Sequence, residues 1–192
     1  MKTAARTLIL ILTLSIAYIS SAQQQTFTAN ASASSVAFAL TGTGHEVKGT
    51  FHVESGTIVF DRSAPKMSGS IVVSAASGDS GDKGRDKKMH ADVLDVAQYA
   101  DVTFVPQSYQ GTIAPSGDST IQVTGTFTLH GAAHDIAVPM QIHIEGTALN
   151  AKGKFVVPYV QWGLKDPSWM VLKVAKEVQI DLLLSGALAP AS

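Results

Sequence analysis

Residues 120–145 decide the fold and read TIQVTGTFTLHGAAHDIAVPMQIHIE. Apolar residues or glycine occupy every second position from 121 to 129 and again from 136 to 144, and threonine and glutamine fill most positions between them. Strict period-two alternation is typical of an antiparallel β-strand with one face buried and the other in water. Residues 130–135 contain a glycine and an aspartate, as turns between antiparallel strands do. The stretch therefore predicts a long β-hairpin whose apolar face must be covered by other strands.

The same alternation recurs along the chain and predicts an all-β domain of about eight strands. Glycines recur on the inward side of the pattern at Gly49, Gly69, Gly125 and Gly153, where they allow a strand to bend. These glycines favour a closed antiparallel barrel over a sandwich of two sheets, which would show the same alternation. Further strands are predicted at 26–35, 36–40, 47–53, 58–60, 67–75, 102–109, 149–157 and 178–184, and the chain after Gly186 is expected to fray.

One short helix is predicted to interrupt the strands, after a polar loop that is rich in glycine. Residues 86–97 place Met89, Val93 and Leu94 on one side and charged residues elsewhere, which is typical of an amphipathic helix. Asp86 is expected to cap its first turn. The inserted helix is expected to cover an opening or a flank of the barrel.

The N-terminal residues have the pattern of an export signal. Lys2 and Arg6 precede a short apolar run, and Ser20-Ser21-Ala22 supplies the small residues that a signal peptidase requires. The run is shorter than the roughly 20 residues of a membrane-spanning helix, although a retained membrane anchor is the alternative. We predict a signal peptide at 1–22 and one β-barrel domain at 23–192. The protein is therefore expected to be exported, periplasmic or secreted, with no stable membrane span after processing.

The composition of the remaining chain excludes some classes of protein. Removing Lys2 and Arg6 from the 14 basic residues leaves 12 against 15 acidic residues, a formal charge of −3. This balance argues against a nucleic-acid partner, which needs a basic face. The sequence contains no cysteine, so the stability of an exported domain must come from its core and sheet rather than from disulfides.

Three short patterns suggest chemistry, and the residues around them argue against it. Residues 78–81 read GDSG, as in the nucleophile segment of trypsin-like proteases, but no histidine lies in a matching context. His130 and His134 have the spacing of helical metal ligands, yet they flank a predicted turn and lack a suitably spaced third ligand. The aspartates at 79–86 do not have the spacing of a calcium loop. We expect no catalytic residue, no metal and no cofactor, and a protein that is not an enzyme.

Several segments resemble YceI-like proteins in their order and spacing. Residues 77–104, SGDSGDKGRDKKMHADVLDVAQYADVTF, resemble that family's serine- and glycine-rich loop, its Arg-Asp pair, its helix and the strand after it. Residues 123–138, VTGTFTLHGAAHDIAV, resemble its hairpin with Gly-x-Leu-Thr-hydrophobic-His-Gly. Trp162-Gly163 and residues 177–180, EVQI, resemble its final motifs. The resemblance covers essentially the whole chain after residue 22.

The resemblance implies a fold and a ligand that alternation alone does not. YceI-like proteins form an extended lipocalin-like barrel, are usually periplasmic or secreted, and hold a long polyisoprenoid chain inside the barrel. This chain has Ala100 where the family usually has proline, and Phe127 where leucine is usual. The excursion at 162–168 looks like a feature of a subgroup, so the expected ligand is a long apolar isoprenoid or another fatty chain.

The predicted site is the interior of the barrel, which its many small inward residues suggest is hollow rather than filled. Trp162 and Trp169 are expected either to close one mouth of the barrel or to fill its core. Arg85, Asp86 and His90 are candidates for a polar rim that meets a ligand headgroup, with helix capping and loop pinning as the alternative role. The other candidate lining residues are Val36, Phe38, Phe51, Val53, Ile71, Val73, Met89, Phe104, Phe127, Leu129, Val138, Met140, Ile142, Phe155 and Ile180.

The expected function is that of a secreted or periplasmic binding protein with an isoprenoid or other lipid tail in the barrel. One alternative is an enzyme or stress-response factor that acts on small molecules at the barrel mouth, which would need converging titratable groups. Another is a solid barrel used for protein contact. The identity of the headgroup, and whether the chain forms a homodimer, stay open at this level.

Overall fold

The computed structural model describes residues 24–168, 170–171 and 173–190. The predicted signal peptide and Trp169 therefore lie outside the described residues. Ten β-strands and one α-helix are found in the part of the chain that is described. The strands are β1 Gln24–Ala29, β2 Ser35–Gly42, β3 His45–Phe51, β4 Val53–Asp61, β5 Met67–Ser74, β6 Asp101–Gly111, β7 Gly117–Leu129, β8 Ala132–Glu145, β9 Ala148–Val157 and β10 Val178–Pro190.

The strands form one closed antiparallel barrel. Neighbours follow the order β1-β4-β5-β6-β7-β8-β9-β10, and β10 pairs back with β1 to close the ring. Strand β2 continues β1 after a short 3₁₀ turn at Ala31–Ala33 and pairs with β10, while β3 leads directly into β4. The ten segments thus make eight barrel strands, two of them interrupted. The prediction of an eight-stranded antiparallel barrel with one short helix is confirmed, and a two-sheet sandwich is excluded.

The up-and-down course of the chain gives the barrel two different ends. We call the end that carries the β2–β3 turn, residues 75–100 and residues 158–177 the mouth. The opposite end, which we call the floor, carries the connections at 62–66 and 112–116 and the tight β8–β9 turn. The two long connections both lie at the mouth, which makes it the more elaborate end.

The hairpin formed by β7 and β8 is the longest pairing in the barrel. Its register runs from Gly117 opposite Ile144 to Leu129 opposite Ala132. The turn consists of His130 and Gly131, with φ values of 52° and 75°, the left-handed pair that favours tight hairpins. The hairpin is confirmed, but its turn is shorter than the predicted 130–135. The first residues of β8 are small or polar, so they do not alternate between apolar and polar side chains, and the sequence predicted them as part of the turn.

The inserted helix begins and ends earlier than predicted. Helix α1 spans Lys83–Lys88 and continues as a π-helical turn at Met89–Val93. Its N-cap is Asp82, whose carboxylate accepts a hydrogen bond from the backbone N–H of Arg85 at 2.9 Å, so the prediction that Asp86 caps the helix is wrong. Asp82 takes this role because it is the last residue with extended backbone before the helix.

The insertion follows β5, which ends at Ser74 opposite Asp101, the first residue of β6. Among the described strands, none pairs with β3 on the side away from β2, and Thr50 instead exchanges two backbone hydrogen bonds of 2.9 Å with Asp79. Residues 75–100 therefore cover the gap between β3 and β6. This position agrees with the expectation that the helix covers a flank of the barrel.

The last strand contradicts the prediction of a frayed end. Strand β10 runs to Pro190, and residues 186–190 pair with 25–29 of β1. Leu188 is buried. Residues 186–190 are ordered because they form the seam that closes the barrel, a pairing that no local sequence pattern reveals.

Candidate functional site

The interior of the barrel contains a cavity of about 660 Å³. Side chains from every barrel strand and from the insertion line it, and nearly all of them are apolar. Polar groups at its wall come mainly from the mouth and include Ser80, Arg85 and Lys88. An apolar cavity with a few polar groups at one end is the usual form of a site for a small, mostly apolar ligand.

Most of the predicted lining residues face this cavity. All but Met89, which lies on the π-helical turn after α1, belong to the alternating inward positions of the strands, which a closed barrel directs to its interior. Their role in binding a ligand remains a prediction. The residues of this set are Val36, Phe38, Phe51, Ile71, Val73, Met89, Phe104, Phe127, Leu129, Val138, Met140, Ile142, Phe155 and Ile180.

Two predicted lining residues lie elsewhere. Val53 is buried in the core but does not line the cavity. It adjoins a register shift between Val53 and Ser55, and such a bulge re-aims side chains that simple alternation would place. Trp162 lies outside the cavity wall, with its ring 5.8 Å from that of Phe127 and stacked at 3.9 Å on His134. Trp162 therefore covers inward-facing residues at the mouth.

Sequence reasoning missed a group of lining residues near the floor and on the loops. Phe27, Ile58 and Phe60 line the cavity from β1 and β4, and Val123 lines it from the hairpin on which the prediction was based. Their alternation was visible in the sequence, so they could have been included. Leu164 and Pro167 could not have been predicted, because they reach the cavity from the irregular connection between β9 and β10.

The predicted polar rim is a tightly bonded cluster around Ser80. Arg85 donates from Nε to the Ser80 hydroxyl at 2.7 Å and from Nη2 to its carbonyl at 2.8 Å. Asp86 accepts from the Ser80 hydroxyl and from its backbone N–H, and these bonds hold the pKa of Asp86 below its usual range. The three residues pin the loop at 78–82 to the helix. Arg85 also lines the cavity, whereas Asp86 does not.

His90 is directed away from the cavity. It lines an open surface depression beside α1, which Asp86 also lines, and its Nε2 lies 2.9 Å from the Gly78 carbonyl. The structure thus brings one of the three predicted rim residues, Arg85, to the cavity wall. The three residues were predicted to form one rim because they lie close together in the sequence. The helix turns between them, so Arg85 reaches the cavity and His90 reaches the surface depression.

At the floor, Arg62 packs over Phe60, a residue of the cavity wall. The guanidinium carbon lies 5.6 Å from the centre of the ring, and burial lowers the pKa of Arg62. Its Nε and Nη2 have no hydrogen-bond partner among the described residues. Tyr109 beside it donates its hydroxyl to the Asp61 carbonyl at 2.7 Å. The arrangement places the cation of Arg62 against the ring of a residue that lines the cavity.

The described residues place no group of three potential metal ligands together. His130 packs against Tyr99 at 4.3 Å, and His134 against Trp162, so both histidines that had metal-like spacing serve in aromatic contacts. The Ser80 hydroxyl bonds to Asp86 and Arg85 rather than to a histidine, which is not the arrangement of a serine nucleophile. In the part of the chain that is described, no helix has the length and apolar character to cross a bilayer.

Fold and cavity together define a class: a closed β-barrel that encloses an apolar site. The family model for the YceI-like domain matches residues 27–185, and the chain belongs to that family. This confirms the resemblance found in the sequence.

Curated relatives come from several bacteria. A UPF0312 protein of Pseudomonas fluorescens is 31% identical over 150 residues, which cover 73% of each chain. A UPF0312 protein of Pseudomonas savastanoi pv. phaseolicola is 33% identical over 114 residues, 58% of this chain and 57% of the relative. The match thus spans a little over half the length of that relative.

Solved structures share the fold. BcnA of Burkholderia cenocepacia superposes with a TM-score of 0.69 at 24% identity, covering 83% of this chain and 99% of that one. A polyisoprenoid binding domain from Saccharophagus degradans, implicated in plant cell wall breakdown, gives a TM-score of 0.65 at 18% identity, with 84% and 98% coverage. These likenesses establish the barrel.

Proposed function

We propose that this protein binds the apolar tail of an isoprenoid or another lipid inside its barrel and acts as a carrier or store for it. The observation that carries the proposal is the cavity of about 660 Å³ with a nearly continuous apolar wall. Membership of the YceI-like family and the polyisoprenoid-binding domain among the structural neighbours support it. The pattern at 1–22 supports export, so we place this activity in the periplasm or outside the cell.

The size of the cavity limits the length of the tail. A water molecule in the liquid occupies about 30 Å³, and a methylene group is of similar size, so the cavity has room for roughly twenty such groups. Burial stabilises each group by about 0.8 kcal/mol, or roughly 16 kcal/mol for a full tail. Association costs of about 4 to 15 kcal/mol oppose this gain. The difference is about 1 to 12 kcal/mol, a range that includes micromolar binding, and it comes from the tail rather than from a headgroup.

The two ends of the cavity set the orientation of the ligand. We infer that Arg62 on Phe60 closes the floor, whereas the mouth carries Arg85 and Lys88 at the cavity wall. A tail would therefore enter from the mouth and leave its polar head there. Arg85 already donates two hydrogen bonds to Ser80, so Lys88 is the better candidate for contact with a headgroup.

The test is a matched pair of cavity-filling variants. Ala151→Phe adds a ring at a buried position in the cavity wall, and Ala137→Phe makes the same change on the exposed face of the neighbouring strand β8. Protein expressed from the full sequence is purified without detergent, and native mass spectrometry records lipid that co-purifies. We expect a defined lipid mass on the wild type and on Ala137→Phe, and at least about a tenfold lower occupancy on Ala151→Phe.

Circular dichroism and thermal unfolding show whether Ala151→Phe is folded. Where that variant is unfolded, Val138→Leu adds a smaller volume to the same wall and is measured instead. A wild-type protein that carries no lipid and does not take up an added isoprenoid alcohol would contradict the proposal. Equal occupancy of all folded variants would contradict it as well.

A further inference from the structure

Strand β3 has backbone groups that point away from its partner β2. Thr50 donates its backbone N–H to the Asp79 carbonyl and accepts from the Asp79 N–H, both at 2.9 Å, so the backbone of Thr50 faces away from β2. Backbone groups alternate in direction along a strand, and the register of β3 with β2 is continuous, so Glu46 and Lys48 face the same way. Among the described residues, no backbone hydrogen bond is found for these two on that side.

We call residues 45–49 the free edge. It lies between the β2–β3 turn and the bridge of Thr50 with Asp79. Val47 lines the cavity, so the alternation of side chains places Glu46 and Lys48 on the outer face of the barrel. The side chains of Glu46 and Lys48 are 53% and 72% exposed and form an ion pair of 2.7 Å with each other.

The sequence of the free edge is complementary to itself. Val47 lies at its centre, so two copies that pair antiparallel about a two-fold axis at Val47 can use the whole of residues 45–49. This pairing places Glu46 of each copy opposite Lys48 of the other, and opposite charges directly across two strands stabilise the pairing. Glu46 and Lys48 are also the residues whose backbone groups face outward, so each such pair can exchange two backbone hydrogen bonds.

The charges on the free edge select the incoming strand. A lysine on an edge strand ordinarily discourages pairing with another chain. In the two-fold pairing, each charge instead has an opposite charge on its own strand and another directly across the interface. Like charges lie only on the diagonals, which are longer. A second copy of this chain therefore fits the free edge in charge, backbone direction and length.

We propose that this protein forms a homodimer in which the β3 strands of two copies pair antiparallel about Val47. The bridge of Thr50 with Asp79 limits the pairing to residues 45–49, so the interface is small and the dimer exchanges with the monomer. Two-fold dimers of this kind are the commonest oligomers. Pairing needs no lipid, so this inference goes beyond the proposed function and is tested separately from it.

Reversal of charges tests the pairing. Protein is expressed from the full sequence and purified without detergent, and sedimentation equilibrium gives its mass over a series of concentrations. We expect the wild-type mass to rise towards that of a dimer. Glu46→Lys and Lys48→Glu each place like charges opposite one another, so each should lower the association constant at least about tenfold. The double variant Glu46→Lys/Lys48→Glu restores opposite charges and should associate as the wild type does.

Two variants on other strands control for the change in net charge. Asp118→Lys on β7 and Lys152→Glu on β9 change the net charge as the two reversals do, at exposed positions away from β3. Neither should alter the association constant. Thermal unfolding of every variant establishes that each is folded, as substitutions at exposed positions allow.

Cross-linking tests the position of the two-fold axis. The sequence contains no cysteine, so Val47→Cys supplies the only thiol of the chain. In the dimer, position 47 faces its own copy as a non-hydrogen-bonded pair with Cα atoms about 4.5 Å apart, which is within the range of a disulfide. Leu40→Cys is the control, because Leu40 is the register partner of Val47 on β2 and also lines the cavity. Oxidation should link the Val47 variant into covalent dimers at least about tenfold faster than the Leu40 variant.

A wild-type protein that stays monomeric up to its solubility limit would overturn the proposal. A dimer that survives both single reversals would use another surface and would overturn it as well, as would a double variant that does not regain association. Equal cross-linking of the two cysteine variants would contradict an axis at Val47. Native mass spectrometry of the wild type reports lipid occupancy independently, so failure of dimer formation is distinguishable from failure of lipid binding.

Discussion

Tyr159 shows how one residue can serve both the wall and the mouth of the barrel. Its ring lines the cavity and is buried, while its hydroxyl donates to the Ala175 carbonyl at 2.7 Å. Burial, and secondarily the charge of Asp166, raises the pKa of Tyr159 to about 12. The tyrosine thereby ties the first turn of the β9–β10 connection to the part that leads into β10.

The raised pKa predicts a loss of stability at alkaline pH. An unfolded tyrosine titrates near pH 10, so between about pH 10 and 12 the folded protein holds this proton more tightly. The contribution of Tyr159 is complete below about pH 10 and is lost as the pH rises towards 12. Tyr159→Phe removes this titration, so its free energy of unfolding should fall less steeply over that range.

Urea unfolding at several pH values measures both effects of Tyr159→Phe. At about pH 8 the variant should be less stable by about 1 kcal/mol, because it lacks the hydrogen bond to Ala175. If the free energies of unfolding of wild type and variant fell in parallel above pH 10, the raised pKa of Tyr159 would be contradicted.

At the scale of elements, the strands show which parts of a barrel can be predicted from sequence. The β7–β8 hairpin was predictable because its two runs alternate strictly and lie next to each other in the chain. The seam between β1 and β10 was not, since it pairs opposite ends of the described chain and its residues 186–190 are small and weakly patterned. The helix was predicted, but the competing Asp82 determined where it starts.

The residues of the candidate site also fall into those that the sequence could predict and those that it could not. Inward strand positions such as Phe104 and Met140 followed from alternation. The bulge beside Val53 and the irregular path of the β9–β10 connection broke the period, so Val53 was misplaced and Leu164 was missed. Local periodicity therefore predicts the strands that form the barrel wall. The β1–β10 seam and the β9–β10 connection depend instead on contacts between residues that are distant in the chain.

Because Leu188 lies in the β1–β10 seam, we expect its truncation to lower the stability of the barrel strongly, although the sequence predicted that this part of the chain is frayed. Leu188 is buried opposite Phe27 of β1, so Leu188→Ala should lower the free energy of unfolding by about 2 to 5 kcal/mol. Val156→Ala, at an exposed position of β9, should change it by about 0.5 kcal/mol or less. Chemical denaturation of both variants gives the comparison. A frayed strand end would make the Leu188 variant as harmless as the control.

At the scale of the whole molecule, the two ends of the barrel differ in their chemistry. Arg62 packs over Phe60 at the floor, and both long connections lie at the mouth. In the proposed binding mode, a floor closed by Arg62 limits how much of a tail can leave water, while the head of the ligand stays at the mouth. The molecule should therefore select tails by length more strictly than heads by chemistry.

This asymmetry predicts a break in affinity as the tail grows. Isoprenoid alcohols of about ten, fifteen and twenty carbons should bind with steeply rising affinity, because each added group is buried in the cavity of about 660 Å³. Beyond roughly twenty carbons the cavity is full, so further groups lie at the mouth in contact with water and should add little. Titration calorimetry or displacement of a fluorescent fatty probe measures the series. A steady rise in affinity through about thirty carbons would mean that the tail passes through the floor, and would contradict the closure by Arg62.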